Sequence, residues 1–207
     1  MEISDEIAEA ANKVGRHRVA VVLGTSTSGI AETEAALARY RMSGAWPGDF
    51  RYSKHEAGGL AEFSAGWLGL SGPAYTVMTA CSSSAKVFAS ARRLIAAGFC
   101  DAAIVGGADS LCKMTVNGFG ALEALSPGLC NPFSVNRDGI NIGEGAAAFL
   151  MTRDRENVNL LGVGETSDGY HISAPDPEGT GAVAAMREAV ADAGLTPDGI
   201  AYINLHG

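Results

Sequence analysis

Residues 18–24 read Arg-Val-Ala-Val-Val-Leu-Gly, a short run that is apolar at nearly every position and rich in β-branched side chains. Such a run is too short for an amphipathic helix and has no polar face, so it is expected to be a strand covered on both sides. Residues 101–107 (Asp-Ala-Ala-Ile-Val-Gly-Gly) and 145–152 (Gly-Ala-Ala-Ala-Phe-Leu-Met-Thr) repeat the pattern. Weaker strand signals fall at 74–80, 159–164 and 200–205. Between them, residues 31–42, 60–70, 82–98 and 181–193 have helical composition, and 82–98 ends at a glycine, Gly98. Strands covered on both faces and alternating with helices predict an α/β protein with substantial parallel sheet. The charged stretch 153–159 is the best internal boundary.

Composition narrows the function. A formal net charge of −8 opposes a nucleic-acid binder, which needs clustered Lys and Arg to neutralise phosphates. No run of about 18 apolar residues exists, so no membrane span is expected. The start, Met1-Glu2-Ile3-Ser4-Asp5-Glu6, lacks the basic and apolar regions of a secretory signal. The four cysteines, Cys81, Cys100, Cys112 and Cys130, show no CxxC spacing and no paired histidines. A metal site and a disulfide framework are therefore not expected, and a reducing cytoplasm is the natural setting. Gly106-Gly107 has no GxGxxG or phosphate-loop context and reads as a packing feature, so no nucleotide cofactor is expected.

The strongest local signal is Thr79-Ala80-Cys81-Ser82-Ser83-Ser84, at a strand-to-helix junction. The first turn of a helix carries unpaired N–H groups and the positive end of the dipole, and both favour an anion there. Small polar neighbours would let a carbonyl approach the sulfur. A free cysteine is also commonly a small buried hydrophobe, and the local pattern leaves both readings open.

The wider pattern is more specific. Residues 72–83, Gly-Pro-Ala-Tyr-Thr-Val-Met-Thr-Ala-Cys-Ser-Ser, resemble the nucleophile segment of the β-ketoacyl-[acyl carrier protein] synthases. Val105-Gly106-Gly107-Ala108-Asp109 resembles that family's next strand and turn. Asn117-Gly118-Phe119-Gly120-Ala121 and Leu125-Ser126 resemble the loop after it. Asn131-Pro132-Phe133, Arg137-Asp138-Gly139 and Ile142-Gly143-Glu144-Gly145-Ala146 follow in family order. Tyr202-Ile203-Asn204-Leu205-His206-Gly207 resembles the strand bearing the first catalytic histidine.

The resemblance implies a thiolase-like, layered αβαβα fold built from two similar halves. Residues 1–154 would form the first half without its initial strand, and 155–207 the beginning of the second. It implies that Cys81 attacks an acyl thioester and that its own N–H is half of an oxyanion hole. His206 would assist decarboxylation of a malonyl unit, Phe119 would line the acyl pocket, and Ser173 would face the pantetheine arm. Arg137 and Asp138 would fix the long loop before 145–152, while His17 and His55 read as solvated. The implied partner is an acyl carrier protein, and the implied assembly is a homodimer or a heterodimer with a synthase-like subunit. A second histidine, a lysine and a glycine-rich turn are expected beyond residue 207. Where relatives carry a basic residue for carrier docking, this chain has Leu122-Glu123. The run of serines and Asp109-Ser110-Leu111-Cys112 are more similar to synthases of specialised polyene pathways. Two alternatives remain: a chain-length-factor-like partner without catalysis, which usually lacks the cysteine, and a thiolase acting on coenzyme A thioesters.

Overall fold

The computed structural model describes residues 3–154, 158–172 and 174–206, and divides them into two compact units meeting at Arg153 and Asp154. The first unit is built on one four-stranded sheet: β1 (Val19–Gly24), β2 (Ala74–Val77), β3 (Ala102–Asp109) and β4 (Gly145–Thr152). The order across the sheet is β2-β1-β3-β4, with β1 parallel to both β2 and β3. Strand β4 runs antiparallel to β3, from Ala102↔Thr152 to Asp109↔Gly145. The helices are α1 (Ser4–Val14), α2 (Ile30–Ser43), α3 (Gly59–Leu68), α4 (Ser83–Ala96) and α5 (Lys113–Ala121).

Period-2 geometry splits the apolar strands between two cores. Val19, Val21, Leu23, Ala102 and Ile104 point to the side of α1 and α3, where they meet Ile7, Ala61 and Ala65. Ala20, Val22, Ala103 and Val105 point the other way, onto Val87, Ala91 and Ile95 of α4. Strands β1 and β3 thus have no polar face, as expected for central parallel strands. At the amino ends of these strands, Arg18 Nε donates to Asp101 Oδ2 at 2.7 Å, and Arg153 Nε lies 3.4 Å from Asp101 Oδ1.

Four expectations are corrected. Strand β2 stops at Val77 rather than residue 80, because its partner β1 ends at Gly24, opposite Val77, and the chain then turns through a left-handed Ala80 (φ +52°). Residues 117–121 belong to α5 and are not loop. Strand β4 is an antiparallel edge, half-open to solvent along its length, and not a buried parallel strand. His55 is not simply solvated: its Nδ1 lies 3.0 Å from Thr33 Oγ1, and its ring stacks on Tyr52.

The second unit has one α-helix among its described residues, α6 (Thr180–Asp192). Neither 159–164 nor 200–205 forms a strand there, for want of a neighbouring ladder. In the first segment the Val163 N–H donates to Asp192 Oδ2 of α6, and just after it the Thr166 hydroxyl donates to the Gly181 carbonyl. No helix among the described residues is long and apolar enough to cross a membrane.

Candidate active site at the Cys81 elbow

Parallel pairing aligns Val77, Gly24 and Gly107 across the sheet, so β1, β2 and β3 end along one edge. Ligands of open α/β sheets bind at that carboxyl edge. Cys81 stands just above it, in a tight single turn (Ala80–Ser82) that leads into α4. The side chain is exposed, whereas Cys100 and Cys112 are buried and Cys130 is partly covered.

Side chains tie this turn together on itself. The Ser83 hydroxyl accepts the Thr79 N–H at 2.9 Å and donates to the Ala80 carbonyl at 2.6 Å. The Ser82 hydroxyl donates to the Thr79 carbonyl at 2.8 Å. Ser83 is almost wholly buried (2% exposed), so its bonds act as internal rivets and not as a cap in water. Left-handed backbone at a residue with a Cβ costs on the order of 1 kcal/mol or more, and it persists where surrounding bonds over-determine it.

Two glycines let the elbow sit so low. A Cβ on Gly24 would stand 2.6 Å from the Ser83 carbonyl carbon and 2.8 Å from Ser84 N. One on Gly107 would stand 2.2 Å from Ser84 Oγ. The start of α4 therefore rests directly on the ends of β1 and β3, and any larger residue would push it off.

A second cluster flanks the elbow. Asp109, at the end of β3, takes four hydrogen bonds on Oδ1 from the loop after β1. They come from Ser26 N–H at 2.5 Å, Thr27 N–H at 2.8 Å, Thr25 Oγ1 at 2.9 Å and Thr27 Oγ1 at 3.0 Å. Thr25 and Thr27 are buried. Burial opposes ionisation of Asp109, but the Ser26 N–H, the Thr25 hydroxyl and both donors of Thr27 outweigh it, holding the carboxyl below the usual carboxylate range. From the same loop, Ser26 Oγ donates to the Ala80 carbonyl at 3.0 Å. Local sequence alone assigns neither the loop at 25–29 nor Asp109 a part in the site. The available signal was a polar Thr-Ser-Thr-Ser run directly after a strand with no polar residue.

Of the other sequence-predicted residues, Phe119 lies half-buried on α5. The amino end of α5 is capped from afar: Glu34 of α2 accepts the N–H groups of Lys113 at 2.9 Å and Met114 at 2.6 Å. Asp138 accepts the Ser126 hydroxyl at 2.7 Å, and Ser126 N–H bonds the Ile140 carbonyl, which staples the long loop to itself. His206 is exposed in the second unit. Ser173 lies outside the described residues. A hollow of about 860 Å³ opens beside Thr25, Leu60, Phe63, Asp109 and Glu144. Another of about 460 Å³ lies between Phe88 of α4 and Phe149 of β4. Neither Cys81 nor Phe119 lines either hollow.

A mixed α/β sheet with an exposed cysteine on a strand-to-helix turn at its carboxyl edge is the arrangement that the resemblance to thiolase-like condensing enzymes leads one to expect. Comparison with known proteins gives the particular family. Residues 4–157 match the beta-ketoacyl synthase N-terminal domain and residues 158–207 the C-terminal domain, so the chain belongs to the beta-ketoacyl synthase family. It is 36% identical over 154 residues to 3-oxoacyl-[acyl-carrier-protein] synthase 2 of Staphylococcus aureus, covering 68% of this chain and 38% of that protein. It is 38% identical over 149 residues to nodulation protein E of Rhizobium meliloti, covering 68% of this chain and 37% of the relative. Among solved structures, it is similar to a chain of the ketosynthase ApeO in complex with its chain length factor ApeC from Xenorhabdus doucetiae. That likeness has a TM-score of 0.95 and 48% identity, over 100% of this chain and 52% of the other. The ishigamide ketosynthase/chain length factor gives 0.81 and 28%, over 95% and 51%. The chain thus spans less than two fifths of these curated relatives and about half of these structures.

Proposed function

We propose that the whole protein is a β-ketoacyl-[acyl carrier protein] synthase, joining a Cys81-bound acyl chain to a malonyl unit in fatty-acid, polyketide or polyene biosynthesis. The observation that carries this reading is the exposed Cys81 on a riveted left-handed turn at the carboxyl edge of the sheet. In the first step the Cys81 thiolate adds to the acyl thioester carbonyl. The tetrahedral oxyanion collapses, the pantetheine thiolate leaves and takes a proton, and the acyl group stays on sulfur. In the second, a carrier-bound malonyl thioester loses carbon dioxide. Its α-carbon attacks the acyl carbonyl, a carbon–carbon bond forms and Cys81 departs as thiolate.

The Cys81 N–H, in the first turn of the elbow, supplies one oxyanion donor. His206 assists the decarboxylation, Phe119 borders the acyl chain and Ser173 meets the pantetheine arm. These assignments rest on the family motifs around each residue. Residues 1–154 and 155–207 are read as parts of the two halves of one thiolase-like unit. The partners proposed are an acyl carrier protein and a second synthase-like subunit, in keeping with the chain-length-factor complexes of two similar structures.

The test is the whole protein with acyl-carrier and malonyl-carrier substrates. The reading expects a 3-oxoacyl product with release of carbon dioxide, abolished by Cys81→Ala. Complete absence of product in the presence of any partner subunit would favour the non-catalytic, chain-length-factor-like alternative.

A further inference from the structure

The backbone of the elbow is held by a residue from the loop after β1. The Ala80 carbonyl takes the Ser83 N–H and hydroxyl from within its own turn, and it also takes the Ser26 hydroxyl at 3.0 Å across 54 residues of sequence. That carbonyl and the Cys81 N–H are the two ends of one planar, trans peptide unit. Fixing the direction of the oxygen therefore fixes the direction of the N–H, which lies in the same plane and points the opposite way. Ser26 is itself held at its N–H by Asp109, at 2.5 Å, and the flanking Thr25 and Thr27 bind the same carboxylate oxygen.

We infer that Ser26, anchored by Asp109, is a positioning residue that aims the Cys81 N–H at the oxyanion of the acyl-transfer step. The inference rests on the reading of Cys81 as the acyl acceptor. It gives a purpose to the polar loop after β1. It also accounts for the left-handed Ala80: a residue free to relax would rotate its peptide, and the Ser26 bond opposes that rotation.

The two reactions of a thiol separate this role from a merely structural one. Acylation by a thioester passes through an oxyanion and needs the aimed N–H. Alkylation by iodoacetamide displaces iodide at a tetrahedral carbon and develops no oxyanion. The experiment measures both second-order rates at Cys81 in the whole protein, with hexanoyl-N-acetylcysteamine and iodoacetamide as the probes, for Ser26→Ala and Ser26→Thr. Outright loss of an oxyanion donor costs roughly 10²–10³ in rate, and a donor left in place but misaimed is expected to cost about 10-fold. Ser26→Ala should slow acylation about 10-fold and leave alkylation within a factor of about two, and Ser26→Thr, which keeps the hydroxyl, should restore acylation. Asp109→Asn, which loosens the anchor without removing Ser26, should slow acylation by a smaller factor. Equal slowing of both reactions by Ser26→Ala would show a structural prop and overturn the inference, as would no change in either. Wild-type protein that is alkylated at Cys81 but never acylated would overturn the nucleophile reading itself, and this inference with it.

Discussion

Replacing Asp109 with asparagine is the sharpest perturbation of the scaffold beneath the elbow. The side chain keeps its shape and one carbonyl oxygen, but the charge that collects four donors on Oδ1 is lost. Hydrogen bonds to a charged group contribute about 1.5–3 kcal/mol and neutral ones about 0.5–1.5. The four donors crowd one oxygen, so their differences do not sum, and a net loss of about 2 kcal/mol is expected for Asp109→Asn. Asp109→Ala should cost about 4 kcal/mol, because it leaves the buried hydroxyls of Thr25 and Thr27 without their acceptor and strands the Ser26 N–H, while the Thr27 N–H keeps only a 3.3 Å bond to Thr25 Oγ1. At about 2–4 °C per kcal/mol for a chain of this size, the asparagine variant should melt about 4–8 °C lower. Urea unfolding followed by tryptophan emission reads this directly, since Trp46 and Trp67, the two tryptophans of the chain, both lie in the first unit. The pH dependence gives an independent check. The folded carboxyl titrates below its unfolded value of about 3.9, so its contribution is fully present above that pH and is lost as pH falls through the folded value. The gap between wild type and Asp109→Asn should therefore be wide at neutral pH and close in strong acid. A gap under about 0.5 kcal/mol at neutral pH, or one that is constant with pH, would refute the argument that the Asp109 charge holds the loop.

Other outcomes follow from the same geometry. Gly24→Ala places a methyl 2.6 Å from the Ser83 carbonyl carbon and should destabilise the chain by about 1–3 kcal/mol while slowing alkylation of Cys81; unchanged melting would show that α4 does not rest on β1 as described. Ellman's reagent should modify Cys81 first, with Cys100 and Cys112 reacting only on unfolding, since both are buried and burial also pushes the Cys100 thiol up; early modification of Cys100 would contradict the packing of the α4 core. Glu34→Ala uncaps α5 and should cost about 1 kcal/mol in urea unfolding, an effect that Glu34→Gln should partly restore.

The central strands were legible because burial on both faces leaves a run with no polar residue. Val19–Gly24 and Ala102–Asp109 fall within two residues of their expected bounds. Strand β4 was legible as a strand but not as an edge: its alanines are as apolar as a core strand's, and only the antiparallel pairing with β3 reveals its open side. Residues 159–164 have strand composition yet lie against α6, since composition cannot report whether a ladder partner exists. The elbow cysteine was visible from its small polar neighbours and its junction. The bonds that hold it were not, because they join residues 26, 80 and 109, which only the parallel sheet brings to one edge. Likewise, nothing local marks Gly24 as the seat of α4; its constraint comes from a helix that begins 59 residues later.

The measurement that bears most directly on the central claim is peptide mapping of the protein after incubation with an acyl-carrier thioester. The account predicts a single acyl mass increment on the peptide containing Cys81. That increment should be released by hydroxylamine as a thioester and be absent from Cys81→Ala. An increment on Cys100, Cys112 or Cys130, or no covalent acyl group on protein whose Cys81 still reacts with iodoacetamide, would contradict it.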